Sequence, residues 1–320
     1  MKEKVKGSMG KIKLKDIGLF LVLIIMCIVL SFLSPVFMTY DNIMNVIRQI
    51  SITAIIAVGM FMIIVTGGID LSVGQVAALT GVSCGIFVIN MKMPMLVGMI
   101  LALLIAVLCG FLNGILITYG KLPAFIATLA TSQVTKGLAF TISGGIPISG
   151  FPEGFTTLGR GYLGPIPWPV IILFVVYLIM WDVIKRTKFG VHVFAIGGSE
   201  VAAFLSGIKI TKTKIMVYTI GGLLTGVSGL ILSSRLNSGS PNVGSTFTFD
   251  AVTACVLGGT SMAGGEGNLL GVLVGSIFVG ILTNGMSLLN VDAYVQMMVQ
   301  GIVLGGAMLL QTCVIQRKKQ

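Results

Sequence analysis

"TGGIDLSVGQVAALTG" (66–81) sets a carboxylate, Asp70, between two apolar runs, one starting near Ile52 and the other reaching Ile89. An acid at the edge of hydrocarbon is costly and, by default, marks function. The order Gly67-Gly68, Asp70, Ser72 reads as a helix end, a break and a restart. Glycine takes the left-handed backbone that stops a helix. Asp70 or Ser72 can then accept hydrogen bonds from the free N–H groups of the next helix. Broken backbone at membrane depth is tolerated only beside protein or a water-filled cavity. A buried cap and a place on a transport path are therefore compatible readings of Asp70.

The rest of the chain fits a membrane. Of its 320 residues 55% are hydrophobic and only 10% charged, with a mean hydropathy of +1.04, where soluble chains carry about 25% charged residues. Apolar segments fall near 17–34, 51–66, 71–90, 95–119, 122–142, 168–183, 215–233, 246–258, 268–289 and 293–312. Most approach the ~20 residues a helix needs to cross a bilayer; 246–258 is short and holds Asp250. The expectation is an all-α, polytopic transmembrane bundle of about ten spans, some of them broken or half helices.

The net charge of +11 comes in blocks: six lysines before Ile17 (Lys2, Lys4, Lys6, Lys11, Lys13, Lys15), a basic loop over 184–214, and Arg317, Lys318 and Lys319 at the end. That is the positive-inside pattern of cytoplasmic segments and argues against nucleic-acid binding. It predicts a basic cytoplasmic N-terminus at 1–16, one membrane domain over 17–312 and a cytoplasmic tail at 313–320. Six crossings before the basic loop and four after it place both termini in the cytoplasm and the Gly- and Pro-rich segment 143–167 outside. Trp168 and Trp181 would bracket the sixth span as interfacial aromatics. No small-residue cleavage site follows 17–34, so a retained first span is expected. Cys27, Cys84, Cys109, Cys255 and Cys313 have no metal or redox spacing and read as small core residues.

Glycines spaced by four (Gly81/Gly85, Gly110/Gly114, Gly222/Gly226, Gly271/Gly275, Gly301/Gly305) let apolar helices approach closely. An internal echo is more informative. "VTGGIDLSVGQV" (65–76) resembles "VLGGTSMAGGEG" (256–267), with Gly74 and Gln75 answered by Gly265 and Glu266. "FLNG" (111–114) likewise resembles "LTNG" (282–285). Two related halves are a usual transporter build; parallel and inverted arrangements both remain open.

Catalytic readings fail on inventory. The chain has no G-x-x-x-x-G-K-[ST] loop for nucleotide and a single histidine, His192, in the basic loop. Asp41 and Asp70 sit at span edges rather than facing each other in mid-span, against an aspartyl protease. No cofactor and no metal are expected.

The blocks "TGGIDLSVGQVAALTG", "LPAFIATLATSQVTKGLAF", "RTKFGVHVFAIGGSEVAAFLSGI" and "LGGTSMAGGEGNLLGVLVGSIFVGILTNGMSLLNV" together resemble the permease subunits of ribose-type bacterial ABC sugar importers, over roughly 15–312. Ala130 and Lys136 depart from the family's usual glycine and arginine. The resemblance implies a homodimeric pore in the bacterial cytoplasmic membrane, moving a monosaccharide such as ribose. An ATP-binding subunit lies on the cytoplasmic side and a soluble or lipid-anchored sugar-binding protein outside. It gives Gly67, Gly68, Asp70, Ser72, Gln75, Asn113, Gly258, Gly259, Ser261 and Glu266 to the substrate pathway or its gate. It also gives the loop 184–214 to ATPase coupling, through Gly197, Glu200, Ala203, Phe204 and Leu205 on a short helix after Ser199. The rivals are a secondary transporter using Asp70, Asp250 or Glu266 for a coupling ion, a permease for another solute such as branched-chain amino acids, and a non-transporting scaffold.

Overall fold

The computed structural model describes residues 14–319, apart from the side chains of 14–17, 310 and 313–319. The lysines from Lys2 to Lys13, and the side chains of Lys15, Cys313, Arg317, Lys318 and Lys319, lie outside the described residues. Thirteen α-helices account for most of the described chain: α1 (Leu14–Leu33), α2 (Tyr40–Val65), α3 (Val73–Gly85, continued by a π turn Ile86–Asn90), α4 (Met95–Thr118), α5 (Ala124–Ser143), α6 (Glu153–Arg160), α7 (Trp168–Arg186), α8 (Lys188–Gly198), α9 (Glu200–Leu205), α10 (Ile210–Leu236), α11 (Phe247–Leu257), α12 (Leu269–Leu288) and α13 (Ala293–Lys319).

Every expected apolar segment is helical, yet the span count changes. Among the described residues six helices are long and apolar enough to cross a membrane: α2, α3 with its π turn, α4, α7, α10 and α12. The expected count of ten is thus corrected to about six by length and hydropathy. The reason lies in composition and helix length. α11 has 11 residues, roughly 16 Å at 1.5 Å per residue against a hydrocarbon core of about 30 Å. α5 carries Thr128, Thr131, Ser132, Gln133, Thr135 and Lys136, which dilute its hydropathy. α1 and α13 enter this count only through the stretches Gly18–Leu33 and Ala293–Leu309, because side chains at their outer ends lie outside the described residues.

α2 is the axis of the bundle. From Ile50 to Val65 it is almost unbroken Ile, Val, Ala, Met and Phe, and every one of those residues is buried. A helix apolar on all sides belongs inside. α7, α10, α11 and α12 pack around it, and α10 also carries α3 and α4. Glycine permits these contacts. A Cβ on Gly110 would overlap the Tyr218 carbonyl oxygen and one on Gly222 would overlap the Ala106 carbonyl, so α4 and α10 touch backbone to backbone. Gly271 and Gly275 do the same for α12 against Gly258 and Ala254. The pair Gly301 and Gly305 differs: a Cβ at either would meet nothing.

One end of the bundle carries α8 and α9. The opposite end carries α6 and two short antiparallel ribbons, of which Ile148–Ser149 with Ser238–Gly239 ties segment 143–167 to the end of α10. Cys84, Cys109 and Cys255 are buried and unpaired, as small core residues would be.

Candidate functional site

Two helices stop short inside the fold and do so by the same backbone device. α2 ends at Val65; Gly67 takes φ +80°, and Gly67 N–H and Gly68 N–H donate to the carbonyls of Ile64 (2.8 Å) and Ile63 (3.0 Å). α11 ends at Leu257; Gly259 takes φ +81°, and Gly259 N–H and Thr260 N–H donate to Val256 (3.0 Å) and Cys255 (2.9 Å). This left-handed cap satisfies carbonyls that a helix end would otherwise leave open. The internal echo of the sequence is therefore a repeated structure. Its register is one residue later in the second copy, where the second glycine of the pair takes the positive φ.

After the first break the chain climbs to Ser72, where α3 begins. Asp70 is 2% exposed. Its Oδ1 accepts from Ser72 N–H (2.8 Å) and Ser72 Oγ–H (2.6 Å). Asn113 on α4 donates through Nδ2 to Ser72 Oγ (3.0 Å) and accepts through Oδ1 from Thr131 on α5 (2.6 Å). Thr128, one turn away on α5, accepts from Leu71 N–H (3.1 Å) and donates to the Ile69 carbonyl (3.2 Å). A largely buried chain of side chains thus clamps the break to α4 and α5.

The capping expectation is refined by this geometry. Ser72 occupies the N-cap position of α3, but its side chain makes no capping bond to the helix. Asp70 folds back on Ser72 instead, and the N-terminal N–H of Gly74 is met by Thr248 Oγ1 (3.2 Å) from α11. The start of α3 touches the segment leading into α11 at that point: a Cβ on Gly74 would overlap the Gly244 carbonyl.

The remaining pathway residues separate into other places. Gly67 is exposed and Gly68 lies beneath the Tyr218 hydroxyl. Gly258 presses on Gly271, while Ser261 N–H donates to the Glu266 carbonyl (2.9 Å). The Glu266 side chain is exposed. The Oε1 atom of Gln75 is enclosed without a hydrogen-bond partner. Asp70, Ser72 and Asn113 therefore form one cluster, and the other residues do not join it. Thr128, Thr131, Thr248 and Tyr218 complete the surroundings and were not singled out by the sequence. The signal for the first two was a Thr-x-x-Thr spacing on α5, one helical turn apart.

Of the residues assigned to coupling, Ala203 is buried while Phe204 (69% exposed) and Leu205 (79%) face away from the bundle. Ser199 caps α9 by accepting from Ala202 N–H (3.2 Å), and Glu200 pairs with Lys214 on α10 at 2.7 Å. Beside α9 lies an open groove of about 820 Å³, walled by Tyr119, Phe204, Ile208, Ile215 and Met216 among others. Among the described residues no three of His, Cys, Asp and Glu gather as a metal site would require.

A family profile described as "Branched-chain amino acid transport system / permease component" matches residues 42–308. The chain is 44% identical over 299 residues to the ribose import permease protein of Bacillus subtilis (strain 168), covering 93% of this chain and 92% of that one. It is 40% identical over 289 residues to the ribose import permease protein of Haemophilus influenzae, covering 89% of each. It is 39% identical over 302 residues to that of Escherichia coli (strain K12), covering 93% and 92%. No solved structure matches the chain.

Proposed function

The chain belongs to the transport-system permease-component family, and from that membership we propose that it is the membrane subunit of an ATP-driven importer that moves ribose or a similar monosaccharide inward. The observation that carries this reading is the near end-to-end identity, 39–44%, to proteins named for ribose import. It is a transport subunit and not an enzyme; ATP hydrolysis falls to a separate cytoplasmic subunit.

In this reading the end with α8 and α9 is cytoplasmic, as are both termini, and the end with α6 and the ribbons faces the sugar-binding protein. One membrane domain, 17–312, works as a homodimer between the short segments 1–16 and 313–320. The breaks at 66–72 and 258–268 shape the pathway or its gate, with Asp70, Ser72 and Asn113 fixing the first. The segment 184–214 couples to the ATPase. Val201, Phe204 and Leu205 are apolar and exposed, and Phe204 lines the groove. Apolar anchors of this kind carry most of the energy of a helix-in-groove interface.

The test is to place a carboxylate in that contact. Phe204→Asp and Leu205→Asp project away from the bundle, so insertion and dimerisation in detergent should be unchanged. Pull-down of the ATPase should fall and uptake should stop, since a buried unpaired charge costs several kcal/mol. Undiminished pull-down and uptake with both variants would move the coupling surface elsewhere, to the turn at Lys121.

A further inference from the structure

Where α8 ends, three segments meet main chain to main chain. Gly265 N–H, in the second break, donates to the carbonyl of Val65, the last residue of α2 (2.9 Å). The last turn of α8 is pressed onto that bond: a Cβ on Gly197 would overlap both the Val65 carbonyl oxygen and the Gly265 nitrogen. A Cβ on Gly264 would stand 3.0 Å from the Gly197 carbonyl oxygen and 3.1 Å from Gly67 N, and one on Gly265 2.8 Å from Gly198 Cα. No side chain separates α8 from either break.

A second grip lies one turn back. Phe194 of α8 meets Phe61 of α2 edge to face, with ring centroids 6.3 Å apart. The same Phe61 ring backs onto Gly267, whose Cβ would come within 2.6 Å of it. α8 therefore holds the end of α2 and the second break together, at one backbone contact and one aromatic contact. On its other side α8 passes into α9 through the single extended residue Ser199 (φ −163°, ψ 111°).

Contacts between flexible side chains can absorb a displacement by changing rotamer. Backbone atoms in van der Waals contact cannot, and packed elements shift as units. We propose that Gly197 is a positioning residue for transport: the Gly197–Val65–Gly265 junction transmits movement of α8 and α9 to both helix breaks at once. This rests on the reading of α9 as the ATPase-docking helix, and it adds where the stroke enters the pathway.

Gly198 supplies the control. A Cβ there meets nothing within 4 Å, so Gly198→Ala makes the same chemical change in the same helix turn without a wedge. The two variants are compared in the reconstituted complex with the ATPase and the sugar-binding protein. Four quantities are measured: ATPase pull-down, basal hydrolysis, stimulation by sugar-loaded receptor, and sugar moved per ATP. Gly198→Ala should match the parent in all four. Gly197→Ala should keep pull-down and basal hydrolysis but lose receptor stimulation, and move about tenfold less sugar per ATP, within the range that coupling-network mutations produce. If Gly197→Ala fails to insert, Phe194→Leu decides, because it loosens the second grip without overlap; a several-fold fall in sugar per ATP is expected. Unchanged sugar per ATP in Gly197→Ala, or in Phe194→Leu where that variant decides, overturns the joint, as does an equal loss in Gly198→Ala. A parent complex with no ATP-dependent uptake would instead overturn the functional reading beneath it.

Discussion

In the first break, 66–72, Asp70 holds Ser72, Ser72 holds Asn113, and Asn113 holds the half-buried Thr131, the first three all buried. In the second, 258–268, most bonds run between backbone groups, Gly264 to Ser261, Ser261 to Glu266 and Gly265 to Val65, and one side chain, Gln311 of α13, donates to the Thr260 carbonyl (2.7 Å). Its one carboxylate, Glu266, is exposed. The same left-handed glycine cap opens both. The first break is wired to α4 and α5 by a network of side chains; the second is held mainly by the main chains of α2 and α8, with the single side-chain bond from Gln311. A side-chain network sets the geometry within the first break, whereas close main-chain contact with α8 sets that of the second.

That contrast makes graded predictions. The largest effect belongs to Asp70→Leu, which strands Ser72 N–H and Oγ–H in a buried site. At about 1–3 kcal/mol for each unsatisfied group, a loss of roughly 3 kcal/mol or more is expected. Thermal unfolding in detergent should show it, and uptake should vanish. Asn113→Ala comes next: it leaves Ser72 and Thr131 without their partner and should cost about 1–3 kcal/mol by the same measurement. Asp70→Asn sharpens the comparison, since an amide oxygen can accept both Ser72 bonds. A cost of about 1 kcal/mol or less and substantial uptake are expected. If Asn were as inactive as Leu in well-folded protein, charge and not position would be the role of Asp70. Glu266→Gln should do least, within about 0.5 kcal/mol for an exposed substitution, with uptake intact. A severe loss there would mean that the second break also works through a carboxylate, and the contrast would fail.

The pieces of the fold were legible because membrane helices advertise themselves by composition. The break at Gly67-Gly68 and its echo at Gly258-Gly259 followed from glycine, the residue whose backbone freedom both caps use. Span number was less legible, because a run such as 246–258 reads by hydropathy as a segment while its helix is too short to cross. In the site, Asp70, Ser72 and Asn113 could be picked out as polar groups in apolar surroundings. Their meeting depends on how α4 and α5 cross α3, and a single sequence holds no record of that crossing. Thr128 and Thr131 were missed for a related reason: hydroxyls are common in membrane helices, where each commonly bonds its own helix, as Thr80 does to the Val76 carbonyl (2.7 Å). The capping role expected of Asp70 or Ser72 fell partly to Thr248, 174 residues away from Gly74 along the chain.

The central claim is that this chain passes a sugar at the expense of ATP hydrolysed by a partner. The direct measurement is labelled ribose uptake into vesicles that hold the chain and the ATPase, with the sugar-binding protein supplied outside and ATP enclosed. Uptake that needs enclosed ATP and the binding protein, and that persists when a protonophore collapses the proton gradient, is the predicted result. Uptake that continues without ATP and stops with the protonophore would contradict the account and make Asp70 or Asp250 the carrier of a coupling proton.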